Sequence, residues 1–129
     1  MTSKERFDLT VNHRQPDKIV VDFGSTAVTG IHVKSVENLR EYYGLEKKPV
    51  RVIEPYQMLG EVDPGLINAM GIDVTGAWGM NNMFGIYNHQ PFKEFETFWG
   101  QKVLLPEGFN TTYAENGDLL IHPEGDLLV

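Results

Sequence analysis

The sequence predicts an α/β fold, and three stretches carry that expectation. Residues 19–21 are a short β-branched run that leads through Asp22 and Phe23 into the small-residue loop 24–30, and such runs fit strands covered on both faces, as in a parallel sheet. Val33, Val36, Leu39 and Tyr43 then recur at helical spacing, with Gly44 placed to end the helix. From Phe92 onward the pattern changes to period two. Asn116-Gly117, between two apolar runs, is a hairpin signal, because both turn residues tolerate positive φ.

In chain order, Thr2 or Ser3 can cap a short helix carrying Lys4, Glu5 and Arg6 in its first turns, with Phe7 and Val11 as an i,i+4 apolar pair against the body. It should stop before Pro16, and residues 14–18 form a polar connector into the first strand. Lys47-Lys48-Pro49 breaks the chain after the second helix. Residues 50–60 read as an extended lead or as a helix beginning near Pro55, with the helix favoured. Asp63-Pro64 is a cap followed by a first-position proline, Leu66, Ile67 and Met70 give an apolar stripe, and Gly71 ends it. Residues 72–75 form a second short strand, parallel and adjacent to the first. The Gly-, Asn- and Met-rich residues 76–90 read as irregular. Residues 91–129 are expected to form a β-meander, with turns at Trp99-Gly100-Gln101 and Pro106-Glu107-Gly108 and a hairpin closed by Pro123-Glu124-Gly125.

The chain has 129 residues, a length suited to one domain or part of one. Its 11 basic and 18 acidic residues give a net charge of -7 without a basic run, so the electrostatic footprint of a nucleic-acid binder is missing. No cysteine occurs, which removes disulfides and thiolate ligands. The polar opening residues do not read as a signal peptide, and no long apolar stretch offers to span a membrane; a cytoplasmic location is expected.

Asp22 is the anomaly of the first strand: alternation puts Val20 and Asp22 on one face, near the strand's carboxyl end, where open sheets and barrels gather ligand-binding groups. Its carboxylate can instead accept hydrogen bonds from backbone N–H groups of the loop 24–30. That loop has neither the lysine nor the spacing of a P-loop. Strand, loop and helix N-terminus together can favour an anion, or Ser25, Thr26 or Thr29 can simply cap the helix. His32, in the first helical turn, either faces a ligand or is an ordinary exposed residue. The four histidines, at 13, 32, 89 and 122, show no metal-ligand spacing. Met58, Met70, Met80 and Met83 with Trp78 and Phe84 suggest a soft apolar wall, lining a pocket or filling core gaps.

The order of these motifs resembles a known family. KERFDLTVNHRQPDKIVVDFG (residues 4–24) is similar to the opening of the uroporphyrinogen decarboxylase superfamily, in its decarboxylase-like and corrinoid-dependent methyltransferase branches: a short helix with Glu5-Arg6-Phe7, a Pro-Asp-basic connector, and a strand ending Val-Asp-Phe-Gly. GIDV (71–74) looks like the family's second strand, and WGQ (99–101) with ENGDLLIHPEGD (115–126) looks like its β-excursion. The resemblance implies the amino-terminal part of a (β/α)8 TIM barrel, whose complete form takes about 250 residues and carries its active site at the carboxyl ends of the strands. Residues 1–90 would hold the first two β/α units and 91–129 the excursion.

It further implies a substrate-cleft wall built from Asp22, Ser25, Thr26 and His32, inactive alone, for a tetrapyrrole or a methyl donor. The porphyrinogen decarboxylases carry an arginine-rich R-Q-A-G-R signature after the first strand, where this chain has GSTAVTG. The methyltransferases bind zinc through a late His-x-Cys and another Cys and work with a corrinoid protein; with no cysteine here, those ligands would lie beyond Val129. No cofactor is expected in this chain. A partial barrel leaves an open strand edge, so a homo-oligomer is expected. The apolar ending Leu127-Leu128-Val129 reads as truncation. The other reading is a self-contained, non-catalytic binding or assembly module.

Overall fold

The computed structural model describes residues 1–89 and 91–128; the expectations for Gln90 and Val129 lie outside them. Helix α1 spans Ser3–Val11, α2 Val33–Tyr42 and α3 Pro64–Met70. The strands are β1 Val50–Glu54, β2 Leu59–Gly60, β3 Phe92–Glu96, β4 Lys102–Pro106, β5 Thr111–Tyr113 and β6 Leu119–Ile121.

All three helices start and stop on local chemistry. Thr2 and Glu5 form a reciprocal capping box at α1, worth about 1 kcal/mol. At α3, Asp63 accepts from the Leu66 N–H at 3.0 Å, Pro64 follows, and Gly71 closes in the left-handed conformation at φ 65°. Gly44, at φ 66°, follows α2 as expected. The apolar pair expected to seat α1 does not do so, because Phe7 and Val11 are exposed and the buried side chain of that helix is Arg6.

The main sheet has four strands in the order β2-β1-β4-β3. β1 and β2 form an antiparallel hairpin. This corrects the helix expected from Pro55: the Glu54 carboxylate accepts from the Tyr56 and Gln57 N–H groups at 2.9 and 2.8 Å, and Met58 takes positive φ, so the chain reverses there. β3 and β4 pair antiparallel from Phe92↔Pro106 to Glu96↔Lys102, around the expected turn at Trp99-Gly100. β5 and β6 form a separate two-stranded sheet around Asn116-Gly117. The expected meander is therefore divided, because β4 pairs in parallel with β1, Val50↔Val103 and Arg51↔Leu104, rather than passing its edge to β5.

Residues 19–23 and 72–75, expected as adjacent parallel strands, are not strands. They are adjacent through one backbone hydrogen bond, from the Asp73 N–H to the Val21 carbonyl at 2.8 Å. Local apolarity misleads here: Ile19 is 84% exposed, so the run is not covered on both faces. Among the described residues the strands make an open sheet and a detached hairpin rather than a closed barrel.

The core lies between α2, α3 and the inner face of the sheet, with Val33, Val36, Val50, Val52, Leu66, Ile86, Val103, Leu105 and Phe109 buried. Gly60 permits the close approach of α2: a Cβ there would meet a Val50 methyl at 2.7 Å and the Val33 Cα at 3.2 Å. Alternation along β1 buries Val50 and Val52 and turns Arg51 and Ile53 to the other face. That second face forms the floor of the candidate site.

Candidate functional site

The loop that follows Val21 folds back on its own carboxylate. Asp22 accepts from the Ser25 N–H at 3.2 Å, the Ser25 hydroxyl at 2.5 Å and the Thr29 hydroxyl at 3.3 Å. The Gly24 N–H donates to the Thr29 carbonyl at 2.8 Å, and the Thr26 and Thr29 side chains each accept from the other residue's N–H. Asp22 thus organises the loop, one of the two roles open to it from the sequence. Capping of α2 by Ser25, Thr26 or Thr29 does not occur: the helix begins at Val33, and its cap is His32, whose Nδ1 accepts from the Lys34 N–H at 3.2 Å. The His32 ring packs against Trp99, centroids 5.2 Å apart. Asp22, Ser25 and Thr26 therefore share one hydrogen-bonded loop, whereas His32 is engaged elsewhere.

Two abutting clefts open beside this loop. The first, about 230 Å³, runs between Phe23-Gly24, Ile67 and residues Val74, Thr75 and Gly76. The second, about 240 Å³, is lined by Arg51, Asn88, His89 and Phe92. Ile53, Glu61 and Trp78 border both, so they form one groove of the size and mixed character that small-molecule sites have. Of the residues singled out from the sequence, Asp22, Ser25, Thr26 and His32 line neither part; Phe23 and Gly24, between Asp22 and Ser25, do. A hollow of about 830 Å³ alongside α1 is bounded only by that helix and its flanks, including Glu5, Asp8 and Arg14, and has no opposing wall.

The groove has an apolar end and a charged end. Arg51 lies over the Phe92 ring at 3.9 Å, in cation–π contact. Its guanidinium donates to the Asn88 carbonyl at 3.4 Å and lies 3.8 Å from the Glu61 carboxylate. An arginine stacked in this way presents a planar donor edge suited to a carboxylate or another flat, electron-rich group. Trp78, Phe23 and Ile67 offer apolar area at the other end. Arg51, Glu61 and Asn88 were not singled out from the sequence, although Arg51 stands between the two valines of an apolar–polar alternation, Val50-Arg51-Val52. Of the methionines expected as a soft wall, Met58 and Met70 pack with Phe84 against the core, while Met80 and Met83 are exposed.

The two segments are held by ion pairs at their base. Arg6 binds both Asp17 and Asp73, and Asp73 also accepts from the Ser3 hydroxyl at 2.8 Å and the Val21 N–H at 3.1 Å. The hydrogen bond from Arg6 brings the Asp17 carboxyl down to about 2. Asp73 is lowered as well, first by the Val21 N–H and then by Ser3 and Arg6. Higher up, the loop and the second segment touch directly, since a Cβ on Gly76 would come within 2.3 Å of the Ser25 carbonyl oxygen.

Among the described residues no cluster of three or more His, Cys, Asp or Glu side chains could hold a metal ion. The residues present therefore do not fit the zinc site of the methyltransferase branch. No helix among the described residues is long and apolar enough to cross a membrane. No protein-family model, curated protein or solved structure matches this chain.

Proposed function

We propose that this chain is the amino-terminal portion of a uroporphyrinogen decarboxylase-like enzyme, decarboxylase or corrinoid-dependent methyltransferase, and supplies one wall of a substrate cleft within the opening part of a (β/α)8 barrel. The motif order supports the family. The observation that carries the site is the contact between Val21 and Asp73, which sets Phe23-Gly24 and Val74–Gly76 side by side along one groove. In this reading Asp22, Ser25 and Thr26 shape the groove rim from behind, and Arg51 and Trp78 meet the ligand, a tetrapyrrole or a methyl donor. The location is cytoplasmic. Assembly into a homo-oligomer belongs to the same proposal, and Phe98, 98% exposed on the β3–β4 turn, is a side chain such a contact would cover.

The test uses uroporphyrin as probe in a Trp99→Phe background, where Trp78 is the remaining tryptophan. Saturable quenching of Trp78 fluorescence is expected, with several-fold weaker binding after Thr75→Phe, which fills the groove. Quenching that never saturates, or that Thr75→Phe leaves unchanged, refutes the site.

A self-contained binding module is the second reading, and the continuous core built from α2, α3 and the main sheet favours it. Saturable binding by a strict monomer at high micromolar concentration would support the module over a barrel portion.

A further inference from the structure

The tip of the β5–β6 hairpin carries chemistry that its role as a turn does not use. Of the eight asparagines in the chain, Asn116 alone is followed by glycine. Asparagine is thermally labile because the next residue's amide nitrogen can attack its side-chain carbonyl carbon, and a glycine there leaves that nitrogen uncrowded. Asn116, Gly117 and Asp118 are all exposed, and a Cβ on Gly117 would meet no atom within 4 Å. Solvent base and water therefore reach the pair.

In the closed turn both reacting groups are engaged with other partners. The Gly117 N–H donates to the Ala114 carbonyl at 2.9 Å. The Asn116 amide meets Asp118 twice, its oxygen accepting the Asp118 N–H at 3.1 Å and its nitrogen donating to the Asp118 carboxylate at 2.7 Å. Ring closure requires Gly117 to lose its amide proton and the Asn116 side chain to turn from Asp118 to the Gly117 nitrogen, so these three bonds must break first. The fold makes that opening local. β5 and β6 are three residues each and form a two-stranded sheet of their own, and a two-stranded hairpin is marginally stable in water. Its base is tied by Thr112 to His122 at 2.8 Å and by Asn110 to the Gly125 carbonyl at 2.9 Å, so fraying starts at the tip.

We propose that Asn116 is a self-modifying site whose rate is set by opening of the hairpin tip. The Gly117 amide nitrogen, losing its proton to solvent base, bonds to Asn116 Cγ; the Cγ–Nδ2 bond breaks and ammonia leaves, giving a cyclic imide. Water then adds to either imide carbonyl and yields aspartate or isoaspartate at position 116. Neither product restores the closed turn. A carboxylate there has no proton to donate to Asp118 and sets a like charge beside it, and isoaspartate also lengthens the main chain between Tyr113 and Leu119, which pair across the strands. The site stands independently of the groove and of the function proposed for it.

The test incubates the full chain in neutral and in mildly alkaline buffer and follows Asn116 by peptide mass spectrometry, with isoaspartyl methyltransferase labelling to identify isoaspartate. Conversion at Asn116 ahead of every other asparagine is expected, faster in the alkaline buffer and about tenfold slower than in the free peptide of residues 114–118, which has no hairpin to open. Asp118→Ala removes one of the three bonds from an exposed position and should close several-fold of that gap, measured against a peptide bearing the same substitution. An Asn116 that stays intact while the peptide converts, a rate equal to the peptide's, a gap that Asp118→Ala leaves unchanged, or another asparagine converting first would each overturn the proposal.

Discussion

Asp73 grips Val21 at two points: its backbone N–H donates to the Val21 carbonyl at 2.8 Å, and its carboxylate accepts the Val21 N–H at 3.1 Å. A side chain thus completes a pairing that a second strand residue would make in a sheet. Replacing Asp73 by Ala leaves the Val21 N–H and Arg6 short of an acceptor, and a loss of about 1–3 kcal/mol is expected. A urea midpoint unchanged from the parent protein would refute that role.

Acid should loosen the same region. Asp17 has an ordinary value of 3.8 and falls to about 2 in the fold; a folded value below the unfolded one contributes stability above pH 3.8, and the contribution is lost as pH falls toward 2. Asp73 is depressed in the same sense, and so is Asp63, where the Leu66 N–H, Lys48 and Arg40 outweigh the upward push of burial. Stability is therefore expected to be flat above about pH 5 and to decline below pH 4. Asp17→Asn should flatten the decline, read as urea midpoints across that range; an unaltered slope would exclude Asp17 as a contributor.

Gly76→Ala tests how tightly the loop is held. The new methyl would lie 2.3 Å from the Ser25 carbonyl oxygen, a backbone atom that cannot swing aside. The loop should lift, loosening the hydrogen bond from Ser25 N–H to Asp22 and speeding exchange of that amide by about tenfold or more. Equal exchange rates in the two proteins would show that the segments do not touch.

His32→Ala separates capping from binding. Removal of the side-chain acceptor at the start of α2 should cost about 0.5–1 kcal/mol and shift Trp99 emission, because the imidazole packs on that indole. Uroporphyrin binding should stay as it was. A selective loss of binding without loss of stability would restore His32 to the site.

What the sequence made legible was chemistry acting within a few residues. The cap of α1, read as Thr2 or Ser3 and taken by Thr2, Asp63-Pro64 with Gly71, Gly44 and the Asn116-Gly117 turn each depend on neighbours in the chain. Residues 19–23 misled because β-branched composition says nothing of what covers a segment, and here Ile19 faces outward. Pro55 suggested a helix start, but Glu54 had two closer N–H partners, and using them makes a turn. The pairing of β1 with β4 has no local signature. The Asp22 loop was found from its anomalous carboxylate, whereas Glu61 and Asn88 reached the groove only through tertiary placement.

The parallel register of Val50 with Val103 joins positions more than fifty residues apart, and this orders events during synthesis. α2 and the β1–β2 hairpin can form from contiguous chain, yet Val50 and Val52 remain wet until β4 leaves the ribosome and inserts beside β1. Closing so long a loop costs entropy before any apolar contact repays it, so β4 docking should govern the folding barrier. Val103→Ala is accordingly expected to slow refolding, whereas Ser3→Ala, at the peripheral α1 clamp, should chiefly hasten unfolding; stopped-flow chevrons would separate the two, and an unchanged refolding limb for Val103→Ala would place the barrier elsewhere. Until β4 arrives, six of the nine clustered core residues wait for Val103, Leu105 and Phe109 to cover them, a window in which a chaperone has something to hold.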